Sequence, residues 1–330
     1  MAQTIKANQQ AIEMAITLLR QGEILALPTE TVYGLAGDAT QGKAVAAIYQ
    51  TKGRPHFNPL IAHVSNIAMV EKYCVIDRLS LHLMERFWPG PLTLVLHLKP
   101  GHSIHPLATA GLSTLAVRQP IGIFSQIVEA YDRPLVAPSA NRSGRLSPTT
   151  AAAVAQDIGD KIPLIIDAGQ CGVGIESTII KITDVEVLML RPGGLALSEL
   201  EPEIDRPLNC VDQRAAIEAP GMQQSHYAPN ATIRLNARNV FRGEALLRFG
   251  DQPIADSDKA SYTLNLSERG DTREAAVNLF DYLKKLDDYH VNKIAVQPIP
   301  MVELGIAIND RLNRAAAPRP IGQQNSVRDI

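Results

Sequence analysis

Cysteine is scarce in this 330-residue chain, and the three present (Cys74, Cys171 and Cys210) stand far apart with no C-x-x-C pair. No histidine lies at zinc-ligand spacing, so neither a disulfide framework nor a structural zinc can be read. The three cysteines read as small core or surface residues. Long apolar runs are also missing. The largest, such as Glu23–Pro28 and Leu92–Leu98, are strand-sized, far below the ~20 apolar residues of a membrane helix. The opening Met-Ala-Gln-Thr-Ile-Lys lacks the apolar segment of a signal peptide, so a cytoplasmic protein without membrane contact is expected. Charge of one sign is not in surplus either. The net charge is -2, with 16 basic and 16 acidic side chains in residues 1–200, and 2 and 5 in residues 201–230. That balance excludes a dedicated nucleic-acid binder and leaves room only for a weak, local tRNA contact.

Several catalytic signatures are absent as well. Neither H-E-x-x-H nor G-x-S-x-G occurs, and the glycines of Gly169–Gly174 do not match the dinucleotide fingerprint G-x-G-x-x-G. Gly37-Asp38-Ala39-Thr40-Gln41-Gly42-Lys43-Ala44 nearly spells a P-loop, but Ala44 stands where a hydroxyl must hold magnesium. A turn leading into a helix is the better reading of that segment.

What the chain does have is alternation. Apolar positions suit helices near Ile12–Leu19, Lys43–Thr51, Leu79–Phe87, Ile121–Tyr131 and Thr149–Ile158, with Gly22 placed to end the first. Between them lie strand-like runs at Ile24–Leu27, Leu60–Val64, Leu92–Leu98, Thr114–Val117, Pro134–Ala137, Leu164–Asp167, Thr178–Ile182 and Val185–Leu190. Together these predict an α/β fold around a mixed sheet. Periodicity lapses from about Leu200 to Thr232, a proline-rich acidic stretch that reads as a linker. Strands near Ala245–Phe249 and Lys293–Val296, with helices near Thr272–Tyr289 and Val302–Ala316, then form a small α/β unit. The expected division is therefore 1–200, a linker 201–231, and 232–330.

Polar groups collect where strands end. Lys52 and Arg54 flank Gly53 after a helix, so in an extended loop both can face one anion; a solvated loop is the plainer alternative. Pro138-Ser139-Ala140-Asn141-Arg142-Ser143-Gly144 follows a strand, where α/β proteins place ligands, although a helix-capping turn explains it equally well. Thr29-Glu30-Thr31 after Pro28, Arg118, Glu176-Ser177-Thr178 and Arg191-Pro192-Gly193-Gly194 mark further strand ends. Convergence of five such boundaries on one pocket is more plausible than five accidents.

In order along the chain, these segments resemble the YrdC-type threonylcarbamoyl-AMP synthases in their long form, which carries a C-terminal accessory domain. The resemblance runs through Leu27-Pro28-Thr29-Glu30-Thr31-Val32-Tyr33-Gly34-Leu35, Lys52-Gly53-Arg54-Pro55 with Asn58-Pro59-Leu60, and Trp88-Pro89-Gly90-Pro91-Leu92-Thr93. It continues through Val117-Arg118-Gln119-Pro120, Ala137-Pro138-Ser139-Ala140-Asn141, Ser177-Thr178 and Arg191-Pro192-Gly193. Ala219-Pro220-Gly221-Met222 with His226-Tyr227-Ala228-Pro229 is similar to the family's interdomain segment, and Ala307-Ile308-Asn309-Asp310-Arg311-Leu312 to its C-terminal helix.

The resemblance implies an open twisted sheet with a deep concave cavity, plus a small Rossmann-like C-terminal domain. It implies formation of threonylcarbamoyl-adenylate and pyrophosphate from L-threonine, bicarbonate or CO2, and ATP carrying Mg2+, with no protein side chain holding the metal. The product would pass to the machinery that modifies a tRNA adenosine beside the anticodon. Thr31, His63, Arg118, Ala137 and Ser177 would hold threonine. Lys52, Arg54, Asn58, Thr114, Ser139, Asn141, Ser147 and Arg191 would line the nucleotide and carbamate region, with Tyr227 closing over it. The alternatives are a non-catalytic module binding double-stranded RNA on the same surface, and the carbamoyl-transferring domain of hydrogenase maturation proteins. The latter usually carries zinc-finger cysteine pairs, absent here.

Overall fold

Short apolar runs bounded by proline, glycine and charge become strands, and the amphipathic runs between them become the helices that cover them. The computed structural model describes residues 1–211, 219–220 and 226–318. The larger sheet takes β1 (Gln3–Lys6), β2 (Leu25–Pro28), β3 (Tyr33–Asp38), β4 (Ile61–His63), β5 (Leu92–His97) and β6 (Thr114–Arg118). It also takes β7 (Leu135–Val136), β8 (Leu164–Asp167), β9 (Thr178–Ile182), β10 (Val187–Arg191) and β11 (Leu208–Cys210). Their spatial order is β1-β8-β2-β3-β7-β4-β6-β5-β9-β10-β11. Parallel pairs such as β4–β6 and β5–β9 alternate with antiparallel ones such as β2–β3 and β5–β6, giving the mixed sheet that the pattern predicts.

Pairing direction decides which residues meet. Because β4 and β6 run parallel with His63 opposite Arg118, both side chains stand at the same sheet edge. β10 runs antiparallel to β9, so its last residue, Arg191, returns to the start of β9 beside Ser177. A backbone bridge joins Gly34 to Ser139, pinning the loop after β7 against β3. The helix Gly42–Lys52 packs Ala44, Val45, Ile48 and Tyr49 inward and ends on Gly53, whose positive φ of 59° turns the chain directly into Arg54.

The second sheet is wholly parallel: β12 (Thr232–Arg234), β13 (Ala245–Arg248), β14 (Thr263–Asn265) and β15 (Lys293–Val296), in the order β12-β15-β13-β14. Helices Thr272–Asp288 and Gly305–Ala316 accompany it. Asp271 caps the first of these by accepting the backbone N–H groups of Arg273 and Glu274. Its apolar core does not stop at its own residues. Val32, Ile175 and Ala196 of the first 200 residues pack into the same cluster as Leu279, Phe280, Ile308 and Leu312. Gly174 lets helix Thr272–Asp288 approach closely, since a Cβ there would fall 2.3 Å from the Val277 Cα.

Three features differ from the sequence expectations. β3 follows directly on a segment read as a polar loop; its Tyr-Gly-Leu-Ala-Gly-Asp run is buried throughout and has no alternation to betray it. β11 lies inside the expected linker and extends the first sheet by pairing with β10. β1, β12 and β14 are three- or four-residue strands too short for periodicity to register. Gly221 and Met222, from the expected interdomain segment, lie outside the described residues. Cys74 and Cys171 are buried, Cys210 is exposed, and all three are free. No helix among the described residues is long and apolar enough to cross a membrane.

Candidate active site

The strand ends enclose a cleft, open at its mouth, whose walls include Thr31, Arg54, His63, Arg118, Ala137, Ser139, Ser177, Arg191 and Tyr227. Nine of the residues singled out from the sequence therefore meet at one place. Thr29, Glu176 and His226 join them.

One side is built around Arg118 at the end of β6. Its Nε donates to the Gly90 carbonyl at 3.1 Å, its Nη1 to Thr31 Oγ1 at 2.9 Å, and its Nη2 to the Glu30 carboxylate. Thr31 is held in turn by Thr29 Oγ1 at 2.8 Å. A guanidinium has five N–H donors, so this anchoring leaves one on each terminal nitrogen. Next to it His63 packs on Phe124, with ring centroids 4.7 Å apart. Burial, then the neighbouring Arg118 charge, pushes the His63 imidazole down to about 3, so it is neutral at ordinary pH. Its Nδ1 is buried without a partner.

The other side is cationic. Arg54 points Nε at the Asn58 carbonyl (3.2 Å) and Nη2 at the Pro59 carbonyl (2.9 Å); burial lowers it to about 10. Arg191 grips the Ser177 carbonyl through Nε at 3.1 Å and Nη2 at 2.8 Å, and reaches Ser177 Oγ at 3.2 Å. Ser177 Oγ also lies 2.7 Å from Thr93 Oγ1.

Lys52 is not on the cleft wall. Its Nζ donates to the Ser139 and Asn141 carbonyls, at 2.5 Å each, and so holds the loop after β7 from beneath. Burial first, and Arg54 second, depress the Lys52 ammonium well below its usual value. Asn58 and Thr114 also stand outside the cleft. The Asn58 carbonyl is taken by Arg54 and Tyr49, while Thr114 opens β6 at the end opposite Arg118. Asn141 and Ser147 line a neighbouring groove bounded by helix Thr272–Asp288. Asn141 Nδ2 donates to the Arg142 and Arg145 carbonyls, while its buried Oδ1 has no partner.

The roof comes from farther along the chain. Tyr227 is buried with a positive φ of 62°, an uncommon conformation for a large side chain. It stands edge-on to His226 (4.0 Å) and tilted over Phe280 (5.5 Å), with the Arg311 guanidinium 5.2 Å from its ring. Burial lowers the His226 imidazole to about 3, and its Nδ1 too lacks a partner.

Glu176 carries more of the site than its position in a motif suggested. It accepts from Ser147 Oγ at 2.5 Å and from Arg311 Nε at 2.8 Å. Burial alone would raise its carboxyl; Arg311 and Arg191 more than offset that and bring it down to about 2. Arg311, some 135 positions later in sequence, left no signal of this contact. Glu30 was visible as part of a polar strand end, but its pairing with Arg118 was not.

Comparisons with known proteins identify the family. A family model described as "Telomere recombination", covering Sua5, YciO and YrdC proteins, matches residues 17–193, and one described as "Threonylcarbamoyl-AMP synthase, C-terminal domain" matches residues 195–317. Threonylcarbamoyl-AMP synthase of Bacillus subtilis is 36% identical over 96% of this chain and 96% of its own length. The Pyrococcus abyssi protein of that name is 39% identical over 96% and 97%. The crystal structure of P. abyssi Sua5 complexed with L-threonine superposes with a TM-score of 0.84 at 35% identity, covering 95% of this chain and 96% of that one. The chain belongs to the threonylcarbamoyl-AMP synthase family and is an enzyme of the nucleotidyltransferase type.

Proposed function

We propose that the cleft joins L-threonine, bicarbonate or CO2, and ATP into L-threonylcarbamoyl-AMP and pyrophosphate, the step that feeds modification of a tRNA adenosine beside the anticodon. The observation that carries this reading is the pairing of two anion positions in one cleft, Arg118 beside Thr31 and Arg54 with Arg191. A substrate bearing a carboxylate and another bearing phosphates need such a pair. The threonine-complexed P. abyssi Sua5 supports threonine as the carboxylate-bearing substrate.

The two N–H groups left on Arg118 form a fork for the threonine carboxylate. Its Glu30 and Gly90 partners keep that fork fixed, so little orientation is lost on binding. Neutral His63, with Nδ1 unpaired, offers a hydrogen bond without adding charge beside Arg118. Threonine's amine adds to CO2, forming an N–C bond and releasing a proton, to give a carbamate. A carbamate oxygen then attacks the α-phosphorus as the bond to the β-phosphate oxygen breaks, and pyrophosphate leaves. The carbamate is itself the nucleophile, so no activated serine or cysteine is needed. Arg54 and Arg191 face the charge that develops, and their burial strengthens that interaction.

Glu30 and Glu176 are both committed to arginines, which suits a Mg2+ that arrives on the nucleotide phosphates rather than one held by carboxylates. Magnesium bound in that way supplies neutralisation of the leaving pyrophosphate. The reading is tested by incubating the chain with all three substrates and Mg2+ and seeking threonylcarbamoyl-AMP by mass spectrometry. Its formation only when threonine and bicarbonate are both present is expected; AMP without the conjugate would contradict the reading.

A further inference from the structure

The cation that holds Glu176 comes from near the end of the described chain. Arg311 lies on helix Gly305–Ala316 and is 1% exposed. Its Nε donates to Glu176 Oε2 at 2.8 Å, and its Nη1 to the Pro192 carbonyl at 2.9 Å and Asp310 Oδ2 at 2.7 Å. The other Glu176 oxygen takes the Ser147 hydroxyl, and the Glu176 carbonyl accepts Gly194 N–H at 2.9 Å. The same helix receives the His226 N–H on the Arg314 carbonyl at 3.3 Å. One contact network therefore joins a C-terminal helix to Ser147, to the loop after Arg191, and to the His226–Tyr227 roof.

Charge makes this network more than packing. Glu176 lies within the fields of Arg191 and Arg311, and both lower its carboxyl against the effect of burial. Without Arg311, the buried carboxylate keeps Arg191 and Lys52 as cationic neighbours, with the His226 imidazole and the Tyr227 phenol also facing it. It must then take up a proton or draw on Arg191, and either change alters the anion position that Arg191 contributes.

We propose that Arg311 is a positioning residue for the adenylating half of the cleft: its ion pair with Glu176 keeps Ser147 and Arg191 in place, so the C-terminal domain is an integral part of the active site. The inference rests on the reading of the cleft given under the proposed function.

The test uses the full chain with Arg311→Met, Arg311→Lys, Glu176→Gln and the Arg311→Met/Glu176→Gln pair, measuring threonine-dependent pyrophosphate release. Arg311→Met is expected to lower kcat about 100-fold while threonine KM moves less than about threefold. Adding Glu176→Gln should recover at least about tenfold of that loss, because no unpaired carboxylate then remains beside Arg191. Arg311→Met should also gain an acid limb in its pH–rate profile as Glu176 protonates at higher pH. Arg311→Lys should retain most of the activity. A double variant whose losses simply multiply, or an Arg311→Met enzyme with wild-type kcat and pH profile, overturns the proposal. If Arg311→Met does not fold, Arg311→Gln, which also removes the cation, carries the same comparison with and without Glu176→Gln. A wild-type chain that releases no pyrophosphate defeats the functional reading instead. The positioning role of Arg311 is then judged by calorimetric affinity for a non-hydrolysable ATP analogue, which Arg311→Met should weaken at least about tenfold; unchanged affinity overturns it.

Discussion

Arg118 and Lys52 show how differently two cations of one site are used. Arg118 faces the cleft with donors to spare, whereas Lys52 spends its ammonium on the Ser139 and Asn141 carbonyls. Arg118→Ala should weaken threonine by about 2–5 kcal/mol while sparing the nucleotide, as titration calorimetry with each ligand would show. Equal losses for both ligands would undo the carboxylate assignment. Lys52→Met should act the other way, costing roughly 10- to 100-fold in affinity for an ATP analogue by freeing the loop that carries Ser139, with a smaller effect on threonine. The buried histidines set a pH dependence. His63 and His226 lie near 3 in the fold against an ordinary 6.5, so below that value the unfolded chain binds protons the fold refuses. Stability is therefore lost as pH falls from 6.5 toward 3, by roughly 1–4 kcal/mol per histidine. Glu176, near 2 against 4.5, adds a further loss as pH falls from 4.5. Thermal melts across this range should decline toward acid, more shallowly for His226→Gln; an identical slope would contradict the assignment.

At the scale of elements, the strands that carry the site were legible because each is an apolar run ending in a polar motif. β4, β6, β9 and β10 appear within two residues of where their patterns place them, and the helix before Lys52 within one. The segment resembling a P-loop is the end of β3 and a turn into helix Gly42–Lys52, as the alanine at position 44 argued. β3 itself escaped because burial on both faces leaves no period, and β11 because three residues at a sheet edge carry little signal. The fit between elements is also tight. Gly174 has φ 79°, and an added methyl would meet the backbone of helix Thr272–Asp288. Gly174→Ala should cost about 1–3 kcal/mol and lower turnover, read by chemical denaturation and steady-state rates together. A wild-type denaturation midpoint would show that helix to be loosely placed.

Across the whole molecule, what the sequence could not show was how its two sheets depend on each other. Composition and periodicity separate them, since a proline-rich, aperiodic stretch lies between. The fold joins them again, through Val32, Ile175 and Ala196 in the second core and Arg311 against Glu176. Contacts between residues more than a hundred positions apart leave no local pattern, so Glu176 and Arg311 were visible as motif members but not as partners. Tyr227 entered as a closing residue only through family resemblance; the fold buries it against Phe280 and Arg311 in the cleft lining. On the proposed reading the cleft brings a carboxylate and a phosphate chain together, and the carbamate serves as the nucleophile. Pyrophosphate release from Mg2+-ATP, assayed with threonine and bicarbonate each present or omitted, tests that claim most directly. Release that requires both is the predicted result. Release indifferent to threonine, or none at all alongside tight binding of double-stranded RNA, would contradict it.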